Sequence, residues 1–115
     1  MAISEAFSGT ETVSTTEWSL STDTAGPDLQ TDDGVYQVYL DLNALAMGDQ
    51  FELRMYEKVL STSTQRRVWR ASFRDAQTDP DFVSPTFILL HGWDFTLIKI
   101  AGTDRAIDWS IRKVA

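Results

Sequence analysis

Residues 105–114, RAIDWSIRKV, place Ile107, Trp109 and Ile111 on one side and Asp108, Ser110 and Arg112 on the other. An apolar–polar period of two marks a strand with one buried face, because successive side chains leave an extended backbone on opposite sides. The same period returns along most of the chain. In residues 35–42, Tyr36, Val38, Leu40 and Leu42 alternate with Val35, Gln37, Tyr39 and Asp41. In residues 50–60, Phe51, Leu53 and Met55 alternate with Glu52 and Arg54, and in residues 65–74 Trp69, Ala71 and Phe73 oppose Arg70 and Arg74. Residues 11–20 are rich in Thr and Ser and put Trp18 and Leu20 on one face. A chain with this period throughout folds as layered sheets and not as packed helices.

Turn residues divide these segments. Gly26-Pro27 and Asp33-Gly34 punctuate a long connection over residues 21–34, and Ser61-Thr62-Ser63-Thr64 reads as a hairpin tip. Residues 75–81 form a loop, and Ala101-Gly102-Thr103-Asp104 a turn. The most apolar stretch, residues 82–100, is broken in two by His91-Gly92, and Pro85 marks an edge or a bulge. Only Asn43-Ala44-Leu45-Ala46-Met47-Gly48 reads as a helical turn, with Asn43 as its cap and Gly48 as its stop. The expected fold is therefore all-β: an antiparallel β-sandwich or jelly roll of about seven or eight strands, with at most one short helical turn near residues 43–48. At 115 residues the chain has the size of one domain. Residues 1–10 are small and polar apart from Ile3 and Phe7, so they are expected as a flexible arm ahead of a single domain over residues 11–115.

Composition removes several function classes. There is no cysteine, so disulfides, thiol catalysis and zinc–thiolate sites are excluded. The one histidine, His91, removes two-histidine metal motifs. No apolar run approaches the ~20 residues of a membrane helix, and residues 1–5 have neither the basic nor the apolar region of a signal peptide. Residues 1–53 carry ten acids and no Lys or Arg, whereas residues 54–115 carry seven acids and ten bases, so the two halves bear −10 and +3 of the net −7. Nucleic acid is not an expected partner of so acidic a chain. Arg66, Arg67, Arg70 and Arg74 cluster, but on a regular strand they would alternate faces and form no phosphate-tracking stripe.

Catalytic chemistry finds little support. A triad around His91 would need Ser84 or Ser110 with Asp94 or Asp104, yet no nucleophile elbow is present. Asp79 and Asp81 flank Pro80, and Asp32-Asp33 precede Gly34, but acids in turns are ordinarily solvated and show no glycosidase cleft. The same acids offer oxygen ligands for calcium without any EF-hand spacing. No enzyme activity, cofactor or metal is expected. Trp69, Trp93 and Trp109 lie in phase with other apolar residues, as core residues do. Tyr39 and Tyr56 lie out of phase and are expected on an outward surface, where tyrosine favours protein contacts.

The order of segments carries a resemblance. Thr15-Thr16-Glu17-Trp18-Ser19-Leu20, Asp32-Asp33-Gly34-Val35-Tyr36-Gln37 and Asp49-Gln50-Phe51-Glu52-Leu53 are followed by Tyr56-Glu57-Lys58, Val83-Ser84-Pro85 and His91-Gly92-Trp93-Asp94. Ala101-Gly102-Thr103-Asp104-Arg105 and Trp109-Ser110-Ile111-Arg112 complete the run. Over residues 11–114 this resembles the small head-decoration, or cement, proteins of tailed bacteriophages. The resemblance implies a structural protein on the capsid exterior, bound to the major capsid protein as a homodimer or homotrimer and assembled in the reducing cytoplasm of a host bacterium. The expected contact residues are Ile3 and Phe7 on the arm, Tyr39 and Tyr56 on the sheets, and Arg66 and Arg67 on the basic strand. The alternative is a carbohydrate-binding β-sandwich module on a virion, tail or adhesion protein, with a host glycan as partner.

Overall fold

The computed structural model describes residues 2–114, and they are all-β. Ten strands run in the order β1 (Ile3–Val13), β2 (Trp18–Ser19), β3 (Thr24–Ala25), β4 (Gly34–Asp41) and β5 (Gln50–Glu57), then β6 (Arg66–Arg74), β7 (Asp81–Val83), β8 (Phe87–Leu89), β9 (Asp94–Ala101) and β10 (Arg105–Val114). They form two five-stranded antiparallel sheets. The first has the order β1-β10-β4, with β7 and β8 both paired to the far side of β4; the second has the order β3-β2-β9-β5-β6. The pairs are nested: β1 with β10, β2 with β9, β4 with β7 and β8, β5 with β6. A long hairpin rolled up on itself pairs its strands in this way, which is the jelly-roll connection.

The core lies between the sheets. Tyr36, Val38 and Leu40 of β4 and Ile107, Trp109 and Ile111 of β10 face Phe51, Leu53 and Met55 of β5 and Phe95 and Leu97 of β9. Trp93 sits at its centre, with the Tyr36 ring 4.5 Å away and the Phe95 ring 5.7 Å away. Both buried indoles find acceptors: Trp93 Nε1 donates to the Asp32 carbonyl at 2.9 Å, and Trp109 Nε1 to the Leu20 carbonyl at 3.0 Å. Buried donors need such partners, since an unmet one costs about 1–3 kcal/mol. Gly9 of β1 lies opposite Trp109, and a Cβ there would stand 2.7 Å from the indole. Glycine is what lets that strand close over the ring.

Several expectations need correction. Residues 3–10 are no arm. They make up most of β1, which pairs with β10 from Ile3–Val114 to Val13–Arg105. Met1 lies outside the described residues. Asn43 to Gly48 forms two turns and no helix: the Asp41 carboxylate accepts the Asn43 N–H at 2.9 Å, Leu45 N–H bonds the Leu42 carbonyl, and Asp49 N–H bonds the Ala46 carbonyl. The strand count rises to ten because β2 and β3 are short additions and the segment around Pro85 splits into β7 and β8. Proline supplies no ladder donor, so pairing with β4 breaks there. Trp93 and Trp109 are core residues, whereas Trp69 is half-buried against the Phe87 ring at 5.1 Å.

Candidate docking face

The outward face of the first sheet is organised in rows by strand register. At one end Ile3, Val114, Val35 and Ile88 stand directly opposite one another on β1, β10, β4 and β8. All four point away from the core. Ile3 is 71% exposed and Ile88 85%. Two residues further along comes Glu5, Arg112 and Gln37; then Ser8, Ser110, Tyr39 and Val83; then Thr10, Asp108, Asp41 and Asp81. The face thus grades from an apolar end to an acidic end. Val35 and Asp41 lie six positions apart on β4, about 20 Å of extended chain.

The apolar end continues around the tip of the sandwich. Glu57 at the end of β5 accepts the Leu90 N–H at 2.8 Å, and Lys58 N–H donates to the Gly92 carbonyl at 3.2 Å. These bonds hold the β5–β6 hairpin beside the β8–β9 turn. Exposed Val59, Leu60 and Leu90 therefore join Ile88 at one end of the molecule. Single exposed apolar residues are ordinary on protein surfaces, but several gathered at one end make that end a candidate interaction surface.

Tyr39 stands midway along the face, with the Arg112 guanidinium 3.6 Å above its ring centre. Shallow depressions lie on both sides of this pair. One, of about 230 Å³, is lined by Tyr39, Asp41, Asp81 and Asp108 among others; the second, of about 180 Å³, by Ile3, Val35, Tyr39 and Val114 among others. Hydrogen bonds from Ser110 and Ser8 hold the Glu5 carboxyl below its usual range. Lys113 and Tyr36 do the same for Asp32.

The outward face of the second sheet is polar and partly covered. Glu17, just ahead of β2, reaches across β9: its carboxylate accepts from Thr96, Tyr56 and Arg54. Glu52 accepts Arg54 Nε at 2.7 Å and has Arg67 and Arg70 each at 3.8 Å. Burial, then the Glu17 carboxylate, pushes the Tyr56 hydroxyl up. Asp94 is fully buried beneath residues 21–28 and accepts from Ser21, the Asp28 N–H and the Phe95 N–H. Burial pushes its carboxyl up despite those bonds. These groups satisfy one another and fasten the 17–28 segment to the sheet. Among the described residues no group of three or more His, Cys, Asp or Glu side chains is placed to hold a metal ion.

The structure brings Ile3 and Tyr39 together on one face and separates the other expected contact residues. Phe7 points inward, with its ring 5.9 Å from Trp93, because Ala6 is an extra residue in the β1–β10 pairing. A bulge of one residue reverses the facing of everything beyond it. Tyr56 lies on the second sheet with its hydroxyl bound to Glu17. Arg66 and Arg67 lie on the edge strand β6. A bulge at Val68 puts Arg67 on the same outward face as Arg70 and Arg74, so these arginines do not simply alternate. Sequence reasoning missed the apolar row and the acidic row. The outward facing of Asp41, Asp108 and Val35 follows from alternation, but only register places residues up to 111 positions apart side by side. Against known proteins, the chain matches no family model, no curated protein and no solved structure.

Proposed function

We propose that this chain is a virion structural protein of the head-decoration type, docked on the capsid exterior through the apolar end of its first sheet. The observation that carries the reading is the register row Ile3–Val114–Val35–Ile88, whose ends Ile3 and Ile88 are exposed and whose middle pair is half-buried, continued by the exposed Val59, Leu60 and Leu90. A decoration protein has no substrate to enclose. It needs a flat, preformed, partly apolar face on a rigid scaffold, since rigidity limits the ordering cost of binding. The sheet supplies such a face, and the Tyr39–Arg112 pair beside it is of the residue types enriched at protein contacts.

The test is co-sedimentation of the purified chain with shells of the major capsid protein encoded in the same genome. The chain is expected to pellet with the shells at saturable stoichiometry. Ile3→Asp with Ile88→Asp is expected to weaken binding at least about tenfold, because a buried unpaired carboxylate opposes docking. Failure of the unaltered chain to bind, or equal binding by the double variant, contradicts the proposal.

The depression beside Tyr39 favours a second reading, as a glycan-binding module. Its three aspartates are suitable acceptors for sugar hydroxyls. Its volume of about 230 Å³ lies below the roughly 300–1,000 Å³ of ordinary small-molecule sites. Arg112 also covers one face of the Tyr39 ring that a sugar would need. Capsid docking is therefore the better-supported reading, and a glycan array separates the two.

A further inference from the structure

The row Ile3–Val114–Val35–Ile88 is not level. Its middle pair, Val114 and Val35, is half-buried, whereas Ile3 and Ile88 at its ends stand exposed. The dip over the middle pair is the depression of about 180 Å³ that reaches across to Gln37, Tyr39 and Arg112. It is smaller than the roughly 300–1,000 Å³ of ordinary small-molecule sites, so it suits one bulky side chain and not a whole ligand. Binding energy at protein contacts concentrates in such anchors, each filling a pocket on the other surface.

The polar wall of the depression holds one group with donors to spare. Gln37 is fully used: its Nε2 donates to the Ser84 carbonyl at 2.7 Å, and its Oε1 accepts the Tyr39 hydroxyl at 3.2 Å. Arg112 is not. Among the described residues its guanidinium donates one hydrogen bond, from Nε to Ser110 Oγ at 3.3 Å, and forms no salt bridge. Glu5 stands opposite Arg112 on β1, but the Ser110 and Ser8 hydroxyls engage that carboxylate. The Tyr39 ring, 3.6 Å from the guanidinium carbon, supports its plane. A planar fork held in this way is preorganised for a carboxylate. Arg112 lies two residues from Val114 on the same face, about 7 Å along the strand.

From this juxtaposition we infer that the depression is a socket for one bulky apolar side chain of the docked partner, with a carboxylate of the same partner segment on Arg112. Side chains two residues apart on an extended strand also stand about 7 Å apart on one face. An extended segment of the form apolar-x-Asp or apolar-x-Glu therefore presents both groups at the matching spacing. That this segment belongs to the capsid protein rests on the docking reading above; the socket and its chemistry do not.

The probe is 4-phenylbutyrate, which carries a ring and a carboxylate on one short chain, with 4-phenylbutyramide as its uncharged twin. Each is titrated into the isotope-labelled chain, without shells, and followed by NMR. Both are expected to shift the Val35 and Val114 methyl signals at millimolar concentration. The acid is expected to bind about threefold more tightly than the amide at low ionic strength, the scale of an exposed charge pair. Raising the salt, or the substitution Arg112→Gln, is expected to abolish that difference. Val35→Thr is expected to weaken both ligands alike, because it makes the floor of the socket polar. With shells present, saturating 4-phenylbutyrate is expected to release the bound chain, and the amide at the same concentration to release less.

Absence of shifts at the two valines, equal affinity for acid and amide, or a difference that survives Arg112→Gln would overturn the socket. Shells that keep the chain bound at saturating acid would overturn the assignment of its occupant. A chain that takes the probe as expected but never binds shells would overturn capsid docking while bearing out the chemistry of the socket.

Discussion

Asp49 illustrates how single residues close this fold. Its buried carboxylate accepts the Ala46 N–H at 2.9 Å, the Thr103 N–H at 3.0 Å and Arg105 Nε at 2.7 Å. One side chain thus joins the β4–β5 connection to the β9–β10 turn. The backbone donors, and after them Arg105, hold its carboxyl at about 2. The folded value lies below the unfolded one of 3.8, so the stabilisation is present above pH 3.8 and is lost as pH falls through about 2. Asp49→Asn is therefore expected to lower Tm near neutral pH, with the deficit shrinking between pH 4 and pH 2. Thermal melts of both proteins across that range check it, and a constant deficit would show that the charge is not what holds the turns. Nothing in the sequence around Asp49 signals this role, since its partners lie three, 54 and 56 positions away. The Tyr39–Arg112 stack is invisible for the same reason, although the outward facing of Tyr39 was legible from its phase.

At the level of the strands, legibility follows regularity. β10 was readable to the residue because its alternation is unbroken. β1 was not, because its small polar residues carry almost no hydrophobic period and its bulge at Ala6 inverts the one phase that exists. Ile3 and Phe7 share a parity in sequence and have opposite facings in the structure. Their substitutions are accordingly expected to differ. Phe7→Ala, which removes a ring packed on Trp93, is expected to cost about 3 kcal/mol of stability. Ile3→Asp, at a position 71% exposed, is expected to stay within about 0.5 kcal/mol. Denaturant titration of the two variants distinguishes a strand from an arm: equal, small effects would mean that β1 does not hold Phe7 in the core. The Val68 bulge acts on β6 as Ala6 acts on β1: it sets Arg67 on the face of Arg70 and Arg74, where a regular strand would set Arg66. Those charges also suit an edge strand, where they discourage indiscriminate sheet-to-sheet pairing.

For the whole molecule, period-two patterning and recurrent turn residues were enough to give an all-β sandwich. Sandwich and jelly roll differ only in which strands pair, and the nested pairing depends on contacts between opposite ends of the chain. The same pairing builds the proposed docking face. Ile3, Val35, Ile88 and Val114 are unremarkable apart in sequence and become one apolar row when β1, β10, β4 and β8 lie side by side. The central claim is that this row and the adjoining loop tips are what the chain presents to a capsid. Hydrogen–deuterium exchange on the chain, free and bound to shells of its capsid protein, tests it most directly. The account predicts new amide protection concentrated at residues 3–5, 58–60 and 87–90, with the polar face of the second sheet unchanged. Bound chain whose protection falls on the second sheet, and leaves the apolar end exchanging as freely as before, would contradict it.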